Sequence, residues 1–115
     1  MRRAYIPFIL VLAFAGCDLC SNDITSESVS PDGNRKIVIF SRDCGATTGF
    51  STQATLLNKN ESLPDDGGNI FILEQGEATA EWKNNTEILV RVDSSARFFK
   101  KESLLNGVTI FYQTK

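Results

Sequence analysis

Short apolar runs separated by turn residues make up most of this chain after residue 23, and none of them repeats with the 3.6-residue period of an amphipathic helix. Residues 37–40 are apolar at every position, which is typical of a central strand covered on both faces. Further strand candidates lie at residues 52–57, 70–73, 77–83, 87–93, 97–101 and 108–113. The pattern predicts an all-β domain, either a small antiparallel β-sandwich or a strongly curled antiparallel sheet, of about six to seven strands.

Two turn sequences predict hairpins. Residues 31–34 read Pro-Asp-Gly-Asn and follow the polar segment 24–30. They favour a tight turn because proline presets φ and glycine accepts positive φ. The dipeptide at residues 84–85, Asn-Asn, separates the alternating segments 77–83 and 87–93, which form the clearest hairpin of the sequence.

A last hairpin is predicted between residues 97–101 and 108–113, closed by a loop that ends in Asn-Gly. Its first strand carries Arg97, Lys100 and Lys101, a basic spot that a lipid headgroup or an acidic partner could use. The favoured interpretation is the charged outer face of an edge strand, since such charges discourage aggregation.

The N-terminal residues have the pattern of an export signal: two arginines precede an apolar run at residues 6–15 that is too short to span a bilayer. The sequence Phe14-Ala15-Gly16-Cys17 resembles the bacterial lipobox, although phenylalanine stands where leucine is favoured. The resemblance implies cleavage before Cys17 and lipid attachment to its thiol. We therefore expect a signal peptide at residues 1–16, a lipidated tether at 17–23 and a β domain at 24–115. Asp18 resembles an inner-membrane retention signal of enteric-type hosts. A plain signal peptide or an uncleaved anchor remains the alternative.

Three cysteines become an even number once lipid occupies Cys17. In an oxidising compartment Cys20 and Cys44 are then expected to form a disulfide, the alternative being two free thiols. A redox role for Cys17 with Cys20 fails if Cys17 carries lipid, because a thioether cannot exchange with disulfides.

The amino-acid composition and charge argue against several classes of function. The 115 residues include no histidine, which removes Ser-His-Asp and Cys-His nucleophile systems and the common histidine-containing zinc sites. A net charge of −2 with no basic block argues against nucleic acid as a partner. Residues 65–69, Asp-Asp-Gly-Gly-Asn, lack the pattern of a calcium loop and are interpreted as a solvated loop. We expect no cofactor and no metal.

The Ser-Pro-Asp-Gly turn at residues 30–33 and the segment 43–53, Asp-Cys-Gly-Ala-Thr-Thr-Gly-Phe-Ser-Thr-Gln, resemble a family of small exported bacterial proteins built on a domain of unknown function. The resemblance implies no particular activity. The second segment is a candidate binding loop. Its candidate residues are Thr47, Thr48, Phe50, Ser51 and Gln53. The favoured interpretation is structural: a crossover pinned by Cys44, with Phe50 filling the core.

These observations predict a non-enzymatic protein of the bacterial envelope, facing the periplasm and held to the membrane by lipid on Cys17. Its expected partner is a protein or an envelope component. One alternative is a periplasmic immunity or inhibitor protein that neutralises a toxin or hydrolase, and another is a minor hydrolase that works without histidine.

Overall fold

A computed structural model describes residues 20–45 and 50–115, which form nine strands and no helix. The strands are β1 (Ser21–Val29), β2 (Arg35–Asp43), β3 (Phe50–Asn58), β4 (Phe71–Gln75), β5 (Ala78–Asn84), β6 (Glu87–Val92), β7 (Arg97–Lys101), β8 (Leu104–Leu105) and β9 (Val108–Thr114). The predicted all-β class is confirmed. The strand number exceeds the expected six to seven because the polar segment before residue 31 pairs as β1 and a two-residue β8 is present.

One sheet is antiparallel throughout and runs in the order β1-β2-β3-β4-β7. The hairpin between β1 and β2 has the predicted turn, in which the Gly33 N–H donates to the Ser30 carbonyl at 2.8 Å and Gly33 has a φ of 77°. β1 already begins at Ser21, which pairs with Asp43. Residues 21–23 therefore belong to the sheet and not to the tether predicted at 17–23.

The second sheet has the order β5-β6-β9-β8. Its β5–β6 hairpin confirms the predicted pairing of the two alternating segments, with Ala80 opposite Val90. β6 and β9, however, are parallel, so this sheet is mixed and not purely antiparallel.

The predicted hairpin between residues 97–101 and 108–113 is wrong. β7 pairs with β4 in the first sheet, whereas β9 pairs with β6 and β8 in the second. The connection crosses between the sheets, and the Glu102 N–H donates to the Ile70 carbonyl at 2.9 Å on the way. The alternation of apolar and polar residues along a strand shows which face is buried. It does not identify the neighbouring strand, because many strands could pair with the same pattern.

The two sheets pack face to face around one apolar core to which both contribute, with Ile37, Ile39, Ala54 and Leu56 on one side and Ile88, Val90, Val108 and Ile110 on the other. The opposite face of β2 is covered as well. There Val38 and Phe40 pack with Leu57 and with Leu63 from the loop after β3. The prediction of a central strand buried on both faces is confirmed.

An aromatic cluster closes the core where β4, β7 and β9 meet. Phe71, Phe98 and Tyr112 contact one another edge to face, with ring centroids 5.3–6.5 Å apart. The Tyr112 hydroxyl donates to the Glu102 carbonyl at 2.5 Å. This hydrogen bond satisfies the one polar group in the cluster, so the three rings join the two sheets at that edge.

Tyr112 predicts a decline of stability in alkali. Burial, reinforced by the neighbouring Glu102 carboxylate, raises the pKa of the phenol above its ordinary value of 10. The unfolded chain therefore loses this proton first as the pH rises, and the free energy of unfolding should fall above about pH 10. Urea unfolding at neutral and alkaline pH checks this. Tyr112→Phe should remove part of the alkaline decline, and an identical decline in both proteins would contradict the assignment.

Candidate functional site

The predicted disulfide is present: Cys20, directly ahead of β1, is bonded to Cys44, directly after β2, with Cα atoms 3.8 Å apart. This bond marks what we call the hairpin end of the sandwich, where β2 ends and β3 begins. The links β4–β5 and β6–β7 lie at the same end, since Gly76, Asp93 and Ser95 line one depression with Phe50.

The opposite end, which we call the turn end, contains the three tight turns that join β1 to β2, β5 to β6 and β8 to β9. Arg35 joins two of them, because its Nη1 donates to the Asn106 carbonyl at 2.8 Å and its Nη2 to the Asn85 carbonyl at 3.4 Å. The Asp32 N–H donates to the Asn85 side-chain oxygen at 2.8 Å. The two ends are therefore held independently, one by a disulfide and the other by hydrogen bonds between turns.

Phe50 is not in the core. The residue is 73% exposed and lies at the first position of β3, opposite Asp43. Along the face of β3 that carries Phe50, residues become more exposed toward the hairpin end: Ala54 is fully buried, Thr52 is half-buried and Phe50 is exposed. The second sheet thus ends short of the β2–β3 hairpin. The expectations of a core phenylalanine and a crossover are both corrected, because β2 and β3 pair directly.

Gln53, another predicted loop residue, is a structural residue inside β3. It is only 5% exposed. Its Oε1 accepts from the Gly68 N–H at 2.8 Å and its Nε2 donates to the Ser51 hydroxyl at 2.6 Å. Gly68 packs so closely that a Cβ there would lie 2.5 Å from the Ala54 carbonyl oxygen. Gln53 therefore fastens the loop before β4 to β3, and Ser51 holds the Gln53 side chain in place. Thr47 and Thr48 lie outside the described residues.

Two shallow depressions of about 390 and 340 Å³ share Phe50, Thr52 and Glu77 in their linings. Thr52 follows Phe50 by two residues in β3 and so lies on the same face. Sequence reasoning missed both Thr52 and Glu77. The alternation of β3 pointed to Thr52, but no local signal places Glu77, which comes from the β4–β5 link. We take this surface around Phe50 as the candidate site.

The floor of the larger depression is fixed by Asp93. Its carboxylate accepts from the Glu77 N–H at 3.1 Å and from the Ser95 hydroxyl at 2.7 Å. These hydrogen bonds, led by that of Ser95, hold the pKa of Asp93 below its usual range. Glu74 on the rim forms an ion pair with Arg97 at 3.1 Å. The site thus presents an exposed aromatic ring, a threonine hydroxyl and acidic side chains on a hydrogen-bonded framework.

A larger cleft of about 580 Å³ lies between β3 and the loop after it. Two of its polar side chains are occupied internally: the Asn69 side chain accepts from the Leu56 N–H at 2.7 Å, and Glu61 accepts from the Asn58 N–H at 2.7 Å. These bonds replace a neighbouring strand where β4 is too short to pair. We therefore interpret this cleft as loop packing and not as a ligand site.

The charged segments noted in the sequence have structural partners. β7 is an edge strand as predicted, and Lys101 lies over the rings of Phe98 and Tyr112 at 5.0 and 4.8 Å. Asp65 accepts from Arg42 at 3.1 Å. Across residues 20–45 and 50–115, no group of three or more histidine, cysteine, aspartate or glutamate side chains is placed to hold a metal ion.

Fold and site together define a small disulfide-bonded β-sandwich with an exposed aromatic at one end. No protein-family model, curated protein or solved structure matches the chain. The resemblance at residues 30–33 and 43–53 therefore stays a prediction, as do the roles of Cys17 and Asp18, which lie outside the described residues. The part of the chain that the structure describes contains no helix long and apolar enough to cross a membrane.

Proposed function

We propose that the protein is a lipid-anchored, non-enzymatic protein of the bacterial cell envelope that binds a protein or an envelope component through its hairpin end. The observation that carries the binding role is the exposure of Phe50, which is 73% exposed at the end of the β2–β3 hairpin, beside the disulfide that joins β1 to β2. An exposed aromatic whose backbone is paired in a sheet loses little conformational freedom when it is covered, which favours a role in recognition.

Two further features support the anchor. The Cys20–Cys44 disulfide is of the kind that persists in exported proteins, since cytosolic thiols are kept reduced. With those two cysteines paired, Cys17 is the one that remains for lipid in a chain of three. The sequence Phe14-Ala15-Gly16-Cys17 then supplies the attachment site, and Asp18 favours the inner membrane in an enteric-type host.

Labelling and crosslinking in the native host test both parts of this function. We expect a palmitate analogue to label the parent chain and the Cys20→Ser/Cys44→Ser variant, which keeps the lipobox cysteine, but not Cys17→Ser. A photoreactive phenylalanine analogue at position 50 should form adducts in the membrane fraction, whereas the same analogue at position 104, where Leu104 is 67% exposed at the turn end, should not. Labelling that survives in Cys17→Ser would reject the anchor, and equal adducts at both positions would reject the binding end.

A further inference from the structure

The disulfide determines where the N-terminal segment meets the domain. Cys20 is bonded to Cys44 at the hairpin end, so the chain that precedes residue 20 enters the sandwich there. Only three peptide units separate Cys20 from Cys17, and an extended chain covers at most about 3.6 Å per residue. A lipid on Cys17 would thus lie within about 11 Å of the hairpin end.

The long axis of the strands separates the two ends. β2 and β3 each contain nine residues, which at about 3.4 Å per residue extend over roughly 27 Å. Leu104 marks the far end, because it pairs with Thr109, which in turn pairs with Glu87 at the start of β6. If the domain stands on its tethered end, the other end is held roughly 27 Å farther away, in the aqueous space.

We propose that the envelope component contacted by Phe50 is the surface of the bilayer that holds the lipid anchor, so that the domain stands on its hairpin end. This inference rests on the proposed lipidation of Cys17. Phenylalanine partitions favourably into the region between headgroups and acyl chains, and the Phe50 ring is exposed within reach of that region.

The charged side chains at the hairpin end indicate which lipid headgroups this end can contact. Glu74, Glu77 and Asp93 lie around the depression beside Phe50, and of these Glu74 is paired with Arg97. Arg97 and Lys115 lie near these carboxylates, so the depression carries little net charge and fits a surface of zwitterionic lipid. Because acyl chains on Cys17 already provide stable attachment, the Phe50 ring sets orientation and contributes little to affinity.

The measurement must therefore report depth and not binding strength. The lipidated full-length mature protein is incorporated into phosphatidylcholine vesicles, with and without lipids brominated near the headgroup, as the parent, Phe50→Trp and Leu104→Trp. Both substitutions are at exposed positions, where a larger ring is accommodated. Trp82 is present in all three proteins, and its Nε1 donates to the Ser28 carbonyl at 2.8 Å, so it provides the common background.

We expect the added fluorescence of Phe50→Trp to be quenched at least twofold by brominated lipid, and that of Leu104→Trp to stay unchanged. Equal quenching in the two variants, with both proteins floating with the vesicles, would overturn the orientation while leaving the anchor intact. Flotation of Cys17→Ser to the same extent as the parent would instead overturn the anchor, and the inference with it. The two failures are thus distinguishable in one preparation.

Discussion

Phe71→Ala should lower the free energy of unfolding by about 3–5 kcal/mol, the range for removing a fully buried phenylalanine side chain. Phe71 has no exposed surface and contacts both Phe98 and Tyr112, so its loss leaves a cavity where the two sheets join. For a small domain with a net stability of about 5–15 kcal/mol, this is a large fraction of the total.

Urea unfolding gives the test, read as a lower midpoint with an unchanged slope. Phe99→Ala is the matched control, because Phe99 lies on the same edge strand as Phe98 and is 72% exposed. Its loss should change the free energy of unfolding by less than about 0.5 kcal/mol. If Phe71→Ala proves too unstable to purify, Phe71→Leu should give a smaller loss in the same direction. A loss no greater in the Phe71 variants than in Phe99→Ala would contradict the burial assigned to this ring.

The aromatic cluster illustrates what the sequence could and could not predict. The alternation predicted for residues 87–93 is present in the structure, where Ile88 and Val90 lie on one buried face, because that prediction needs only the two-residue period of a strand. The partners of β7 and β9 could not be inferred in the same way. Both strands bury alternate residues, and the choice between pairing with each other and pairing with β4 and β6 depends on the whole core.

The most reliable predictions from the sequence were those that depend on a few neighbouring residues. The turn at residues 31–34, the β5–β6 hairpin and the Cys20–Cys44 disulfide each follow from a few residues whose conformational or redox preferences act nearby. These three features also fix most of the hairpin end and the turn end. Of the three, the disulfide alone lies at the hairpin end, so the sequence indicated where that end is but not the lining of the site, which includes an exposed Phe50, Thr52 and Glu77.

Phe50 was misplaced for a physical reason. An aromatic residue between strands is usually buried, but β2 and β3 continue as a hairpin through the polar residues Ser41 and Arg42 and carry Phe50 past the edge of the second sheet. Backbone hydrogen bonds extend a hairpin without apolar side chains, so the pattern of apolar positions underestimates its length. The same extension gives Phe50 its exposure and hence its proposed role.

Reducing the Cys20–Cys44 disulfide should lower the free energy of unfolding by about 3 kcal/mol, the loop-closure entropy expected for a sequence separation of 24. β1 should be affected most. It is an edge strand whose side chains are largely exposed, and its other long-range contacts include the Trp82 bond to Ser28 and the bond from Asn22 Nδ2 to the Pro64 carbonyl at 3.1 Å. The amides of β1 should therefore exchange with solvent faster than those of β2 once the bond is reduced.

Urea unfolding with and without reductant, combined with hydrogen exchange, measures both effects. The Cys20→Ser/Cys44→Ser variant is the control, because it should unfold at the midpoint of the reduced parent and show no response to reductant. An unchanged midpoint for the reduced parent would contradict the stabilising role of the bond. If the midpoint falls but β1 exchanges no faster than β2, the disulfide does not hold β1 to the sheet, and the connection between the anchor and the hairpin end would lose its support.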